Sequence, residues 1–434
     1  MKILFKNYSI LQRTDKGEYS VLKNACLATK NEKIAYIGPG IPEGDFDEVR
    51  SGEGKILIPG LFNCHTHSPM VLLRGVGSDL PLDKWLFGEV CPIEDRLTRE
   101  DIEAGSNLAL MEMLSGGTVS FSDMYFEPDV TPNAVIKSGM KANLSRPIQS
   151  FDPAETPEQS YRLKQAKELY DSFNGAACGR ILIDKCIHAE YTCTDKIAAA
   201  EIAELKAVHG NLHIHLSETV KEQEECVARH GKTPAEWFES LGAFDEGCFA
   251  AHCVTLTDSD MQILKRHNVT VVHNPTSNLK LASGFAPVPG MLEKSVNVAL
   301  GTDGAASNNN LSVLEEMHLA GIIHNGFLRD ATLMRAGQVL DMATVNGAKC
   351  QRRADCGEIK VGNFADIVEL DTSAPNMQPV LDIPALLVYS AGDRNISMTM
   401  VNGRILYDKG EFKTIDAEKA YYYAKKSVNK LYGG

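Results

Sequence analysis

His65 and His67 stand one residue apart in "PGLFNCHTHSPM", just after an apolar run. Residues two apart on a strand share a face, so Asn63, His65 and His67 point the same way. Two imidazoles so placed begin a metal site if the chain brings further ligands. "LHIHLSE" brings His213 and His215 in phase with one another, with Glu218 three residues beyond the second. Parity does not separate these histidines; depth favours His215, nearer the strand end, and leaves His213 behind it in the core. His252 falls near the end of "CFAAHCV" and Asp303 near the end of "VNVALGTDG". Imidazoles with a carboxylate suit zinc or another divalent transition metal better than calcium or magnesium. A metal held this way makes water a nucleophile near neutral pH, which points to hydrolysis.

Eight β-like runs from position 59 onward must carry these residues: "GLFNCHTH", "TVSFSDMYF", "KANLSRPI", "ILIDKCIHAE", "LHIHLSE", "CFAAHCV", "VTVVHNPTSN" and "VNVALGTDG". Helical text separates them. After the first run, Thr98 and Asp101 form a capping box and Gly116 a stop. "KELYDSFNG" and "PAEWFESLGAF" read as further helices. This α/β alternation predicts a parallel (β/α)8 TIM barrel over 59–355, with Leu57 to His67 as first strand and chemistry at the strands' C-terminal ends. The flanks 1–58 and 356–434 are strand-and-turn text. They read as two halves of one small composite β-sandwich domain, with "AEKAYYYAKKSVNKLYGG" as a helix packed outside. His273 is read as structural, and His209, His230, His267, His318 and His324 as solvated.

A net charge of -13 opposes binding to a nucleic-acid backbone. The 11 cysteines form no C-x-x-C pair, which fits reduced thiols in the cytoplasm. The N-terminus lacks the apolar core of a secretion signal, and no apolar run is long enough to span a membrane.

"PGLFNCHTHSPMVLLRG", "PIEDRLT", "IHLSET", "HNPTSNLKLASG" and "GTDGAASNNNL" together resemble the amidohydrolase superfamily. Within it, the chain is similar to the 5-methylthioadenosine/S-adenosylhomocysteine deaminases over nearly its whole length. The resemblance implies one divalent metal per chain, Zn2+, held by His65, His67, His215 and Asp303 with a position open for water. Glu218 would shuttle protons, while His252 and Asp303 hold the water in line. His188 would contact the purine and Glu94 the ribose hydroxyls. Arg146 and Arg162 would meet a homocysteine carboxylate. Trp85 either lines the pocket over the base or anchors the loop after the first strand. The expected reaction converts the adenine of S-adenosylhomocysteine or 5′-methylthioadenosine to the inosine derivative plus ammonia, with adenosine and 5′-deoxyadenosine as further candidates. A homo-oligomer is the family expectation.

Two positions depart from the family's text. Cys64 replaces a threonine, on the face turned away from the site. Glu190 stands where proline is common, and a carboxylate there would alter the pocket. Alternatives are deamination of another ring (guanine, an oxidised purine, a pterin or a triazine), a dinuclear cyclic-amide hydrolase bridged by Lys185, and an inactive scaffold barrel. The P-C-x-x-C signature of base-flipping deaminases is absent.

Overall fold

The eight runs close into a parallel barrel in the computed structural model, which describes residues 1–433. Its strands are Leu61–Thr66, Thr118–Met124, Lys141–Ser145, Ile181–Ile183 continued by Lys185–Cys186, Leu212–Leu216, Cys248–His252, Thr270–His273 and Asn297–Leu300. Neighbours pair in parallel, and the ladder is interrupted within the fourth strand at Asp184. The first and eighth strands are stitched at the site itself. Asp303 N–H donates to His65 O at 2.9 Å, and Asn63 Oδ1 accepts from Thr302 N–H at 3.0 Å.

The fifth strand shows how period-2 patterning builds the barrel. Leu212, Ile214 and Leu216 enter the outer apolar layer beneath the helices, while His213 and His215 turn inward among the other imidazoles. Each apolar side chain buried this way contributes roughly 1.5–3 kcal/mol.

The expected first strand, Leu57 to His67, is two strands. Lys55–Pro59 belongs to a separate nine-stranded sheet, and the chain enters the barrel after Gly60. A Cβ on Gly60 would lie 2.3 Å from Val119 Cγ1, so glycine permits the crossing. The nine-stranded sheet is assembled from both chain ends. Ile367–Asp371 pairs antiparallel with Lys55–Pro59, in the register Val368 to Ile58. One apolar core joins the halves: Ile3, Phe5, Ile10 and Leu27 pack with Ile367, Met398 and Met400.

A buried ion pair ties this sheet to the barrel. Lys141 Nζ meets Asp366 Oδ2, whose other oxygen accepts Asn402 N–H at 2.9 Å. Lys141→Met should destabilise the chain by about 3–5 kcal/mol, because Asp366 is left charged and unpaired. The denaturant midpoint measures this; an unchanged midpoint would show that the pair is dispensable.

Two helices position the loop beyond the first strand. Arg99–Ser115 starts at the expected capping box, with Thr98 N–H donating to Asp101 Oδ2 at 2.9 Å. The terminal helix Ala417–Tyr432 lies over it, where Lys430 Nζ reaches Asp101 Oδ2 at 2.6 Å. Tyr432 O–H donates to Leu72 O at 3.1 Å, within the turn Ser68–Leu73 that follows His67. Among the described residues, no helix is long and apolar enough to cross a membrane.

Candidate metal centre and substrate cavity

Four elements bring the expected ligands together. His65 reaches inward from the first strand, and His67 follows in the turn that Asp123 anchors. Asp123 accepts Ser68 N–H at 2.6 Å, Thr66 O–H at 2.7 Å and Ser68 O–H at 2.9 Å. His215 stands at the end of the fifth strand and Asp303 beyond the eighth. His65 Nε2 and His67 Nε2 lie 3.4 and 3.3 Å from Asp303 Oδ1. Two overlapping triads result, His65–His67–Asp303 and His65–His215–His252, each with its ligand atoms within 4.8 Å of one another.

Hydrogen bonds behind the cluster set the tautomers. His67 Nδ1–H donates to Met124 O and His215 Nδ1–H to His188 O, both at 2.7 Å, which leaves each Nε2 with a lone pair. His65 Nδ1 lies 2.8 Å from His213 Nε2, and its own Nε2 is buried without a hydrogen bond, facing Asp303 Oδ1 at 3.4 Å. Asp303 Oδ2 is saturated by Ser277 O–H at 2.7 Å and Ser307 O–H at 2.8 Å. Its Oδ1 therefore faces the imidazoles. An orphaned buried nitrogen beside an ionised carboxylate fits a divalent cation.

The protonation states mostly agree. Burial pushes His65 down to about 4 against the pull of Asp303, and it holds His215 well below the usual range. Burial alone would raise the Asp303 carboxyl; the facing His65 and His67 imidazoles hold it well below the ordinary range. His67 is the exception. Burial pulls it down, yet Asp303 and the Met124 carbonyl carry it up to about 9, so a cation there competes with a proton.

Backbone strain concentrates at these strand ends. Ser217, His252, Cys253 and Asp303 all have positive φ, between 50° and 74°. His252 shares strand parity with Cys248 and Ala250, which face the outer layer. Its left-handed backbone, at φ 74°, returns the ring to the barrel mouth, where Nδ1–H donates to Asn278 Oδ1 at 2.8 Å. Gly301 is required nearby, since a Cβ would lie 2.8 Å from His65 N and 2.6 Å from Asn274 Oδ1.

A cavity of about 760 Å3 opens over the cluster, and His67, Trp85, Glu94, Arg146, Arg162, His188, His215, Glu218, His252 and Asp303 all line it. Glu218 N–H is held by Glu222 Oε2 at 2.7 Å, while its carboxylate has no hydrogen-bond partner among the described residues. Its Oε1 lies 3.8 Å from His252 Nδ1. Burial pushes the Glu218 carboxyl up, with His252 pulling it down and Asp303 raising it further. His188 Nδ1 hydrogen-bonds with Thr192 Oγ1 at 3.2 Å. Trp85 lines the cavity, and its N–H donates to Val76 O at 3.2 Å.

At the far end, Arg146 donates to Gln165 Oε1 at 3.0 Å and Pro147 O at 2.7 Å. Arg162 Nε is buried without a partner. Among the described residues neither guanidinium has a carboxylate within ion-pair distance, although the chain carries a net charge of -13.

Several expectations change. Glu190 does not enter the cavity: it is buried in a pair with Arg229 at 2.6 Å and His230 at 2.9 Å. His324, expected in solvent, is buried with Nε2 3.3 Å from His273 Nε2. His230 and His267 are likewise only partly exposed, each paired with a glutamate at 2.9 Å. Lys185 faces Glu204 and the Tyr170 ring rather than the cluster, so it bridges nothing there. Sequence reasoning also missed Tyr125, whose O–H donates to Glu94 Oε1 at 2.8 Å. Its place just past the second strand, in "SDMYF", was the available signal.

A model of the amidohydrolase family matches residues 56–406. The chain is 40% identical over 435 residues to a 5-methylthioadenosine/S-adenosylhomocysteine deaminase of Caldanaerobacter subterraneus subsp. tengcongensis, covering 100% of this chain and 99% of the relative. It is 41% identical over 430 residues to a 5′-deoxyadenosine deaminase of Methanosarcina acetivorans, covering 99% and 98% of the two chains. Among solved structures, an adenosine deaminase from Xanthomonas campestris with bound zinc superposes with a TM-score of 0.94 at 31% identity, covering 100% of this chain and 99% of that one.

Proposed function

The chain belongs to the amidohydrolase family, and from that premise we propose that it hydrolytically deaminates the adenine ring of S-adenosylhomocysteine and 5′-methylthioadenosine. The observation that carries the reading is the unpartnered Nε2 of His65, set among His67, His215 and Asp303 beneath the free carboxylate of Glu218. His65, His67, His215 and Asp303 would hold one divalent metal, Zn2+. When bound, the cation supplies Lewis acidity that makes water nucleophilic near neutral pH.

The chain's own residues then move protons and hold the ring. Glu218 takes a proton from the attacking water as the C6–O bond forms and delivers it to N1 of the adenine. It then passes the remaining water proton to the amino group. The C6–N bond breaks, ammonia leaves and a carbonyl remains at C6. His252, fixed by Asn278, and Asp303, fixed by Ser277 and Ser307, keep the water in line. His188 packs at the purine and Glu94 accepts from the ribose hydroxyls.

The two unpaired arginines favour a substrate with an anionic tail, which distinguishes S-adenosylhomocysteine from the neutral nucleosides. Arg162→Ala should raise KM for S-adenosylhomocysteine about tenfold or more, the loss of one charge-assisted hydrogen bond. Adenosine, which has no tail, should change by less than about twofold. Equal losses on both substrates would remove Arg162 from the tail site and favour a neutral substrate.

A further inference from the structure

Tyr125 has no assigned part in this site, yet it is the polar link between two of its walls. Glu94 lies at the end of Cys91–Glu94, which follows the wide π turn Trp85–Val90 in the excursion after the first strand. Tyr125 lies on the rigid wall, one residue past the second strand Thr118–Met124, with its N–H bonded to Ser145 O at 3.2 Å. Its ring is buried among Met70, Leu73, Trp85, Ile93 and Ile102. Among the described residues, its bond to Glu94 Oε1 at 2.8 Å is the only hydrogen bond from Trp85–Glu94 to the barrel wall.

A carboxylate carries two acceptor oxygens. Glu94 Oε1 is occupied by the phenol, and no described side chain hydrogen-bonds to Oε2, while the residue lines the cavity. Burial and the Glu94 charge hold the Tyr125 phenol well above its ordinary range, so it stays a donor. A free carboxylate on a short helix after a π turn would rotate; one pinned at Oε1 presents Oε2 in a fixed direction.

We propose that Tyr125 is a positioning residue that pins Oε1 of Glu94, aims Oε2 into the cavity and so makes the site read the vicinal hydroxyls of a ribose. This rests on the ribose reading of Glu94 above. It makes selection of ribosides over deoxyribosides depend on a tyrosine that lines the cavity beside Glu94 and acts by holding its carboxylate.

Steady-state kinetics on adenosine, 2′-deoxyadenosine and 3′-deoxyadenosine test it, using the metal-loaded wild type, Tyr125→Phe, Glu94→Gln and the double variant. Tyr125→Phe should raise KM for adenosine about tenfold with kcat within about twofold. Both deoxynucleosides should change little, so the preference for ribose shrinks. In the double variant, Tyr125→Phe should add nothing to Glu94→Gln, as expected of residues acting as one unit. If Glu94→Gln removes the ribose preference while Tyr125→Phe leaves it intact, the Tyr125 proposal alone falls. The same holds if Tyr125→Phe slows all three substrates equally, the mark of a merely structural ring. If Glu94→Gln itself leaves the preference unchanged, the ribose reading of Glu94 falls and takes the proposal with it.

Discussion

Glu218→Gln is expected to keep its metal and its fold while kcat falls on the order of 10³-fold, within the range of a lost general acid–base group. The substitution preserves shape and the Glu218 N–H bond to Glu222, which is made by the backbone. It removes only the capacity to take and give a proton. KM should change little, because the carboxylate makes no bond that fixes the fold. The pH profile supplies an independent sign. Burial raises the Glu218 carboxyl above the ordinary carboxylate range, and the group must be ionised to accept the proton from water. Wild-type kcat/KM should therefore fall as pH drops, along a limb above the usual carboxylate pKa, and Glu218→Gln should lose that limb. Near-normal turnover in the variant would overturn the proton-shuttle role.

His65→Ala should reduce metal affinity by more than the roughly 10- to 100-fold that losing an outer partner costs, with turnover falling in proportion to metal content. His65 belongs to both ligand triads, so its loss breaks each. It also removes the hydrogen-bond partner that His213 Nε2 has at 2.8 Å. The barrel should still close, because the seam there runs through the backbone oxygen of residue 65 and through Asn63. Metal per chain after dialysis, measured beside circular dichroism, separates site loss from unfolding. A folded His65→Ala protein with full metal content would remove His65 from the ligand set.

The inward histidines were legible from two cues: period-2 alternation turns His65, His213 and His215 inward on their strands, and depth puts His215 nearer the mouth than His213. His67, by contrast, lies past its strand's end and is placed by the turn that follows. All eight strands were legible for a related reason, since each is a short apolar run closed by polar residues. His252 was placed at the mouth only by its position at a run's end; its parity points outward, and a left-handed backbone that no local pattern announces turns it back. The split at Gly60 was hidden because two strands of different sheets read as one apolar run. Glu190 was misread for a different reason. Its partners Arg229 and His230 lie 39 and 40 residues away, and only the fold brings them close enough to turn its carboxylate from the cavity. Tyr125 shows the same limit, because its meaning depends on Glu94 reaching it across 31 residues.

The central claim is tested most directly by metal content together with ammonia release from 5′-methylthioadenosine and S-adenosylhomocysteine. The expected result is one divalent metal per chain, with ammonia and the inosine derivative formed in equal amounts. A chain that holds its metal yet releases no ammonia from either nucleoside would contradict the account and move the substrate to another ring.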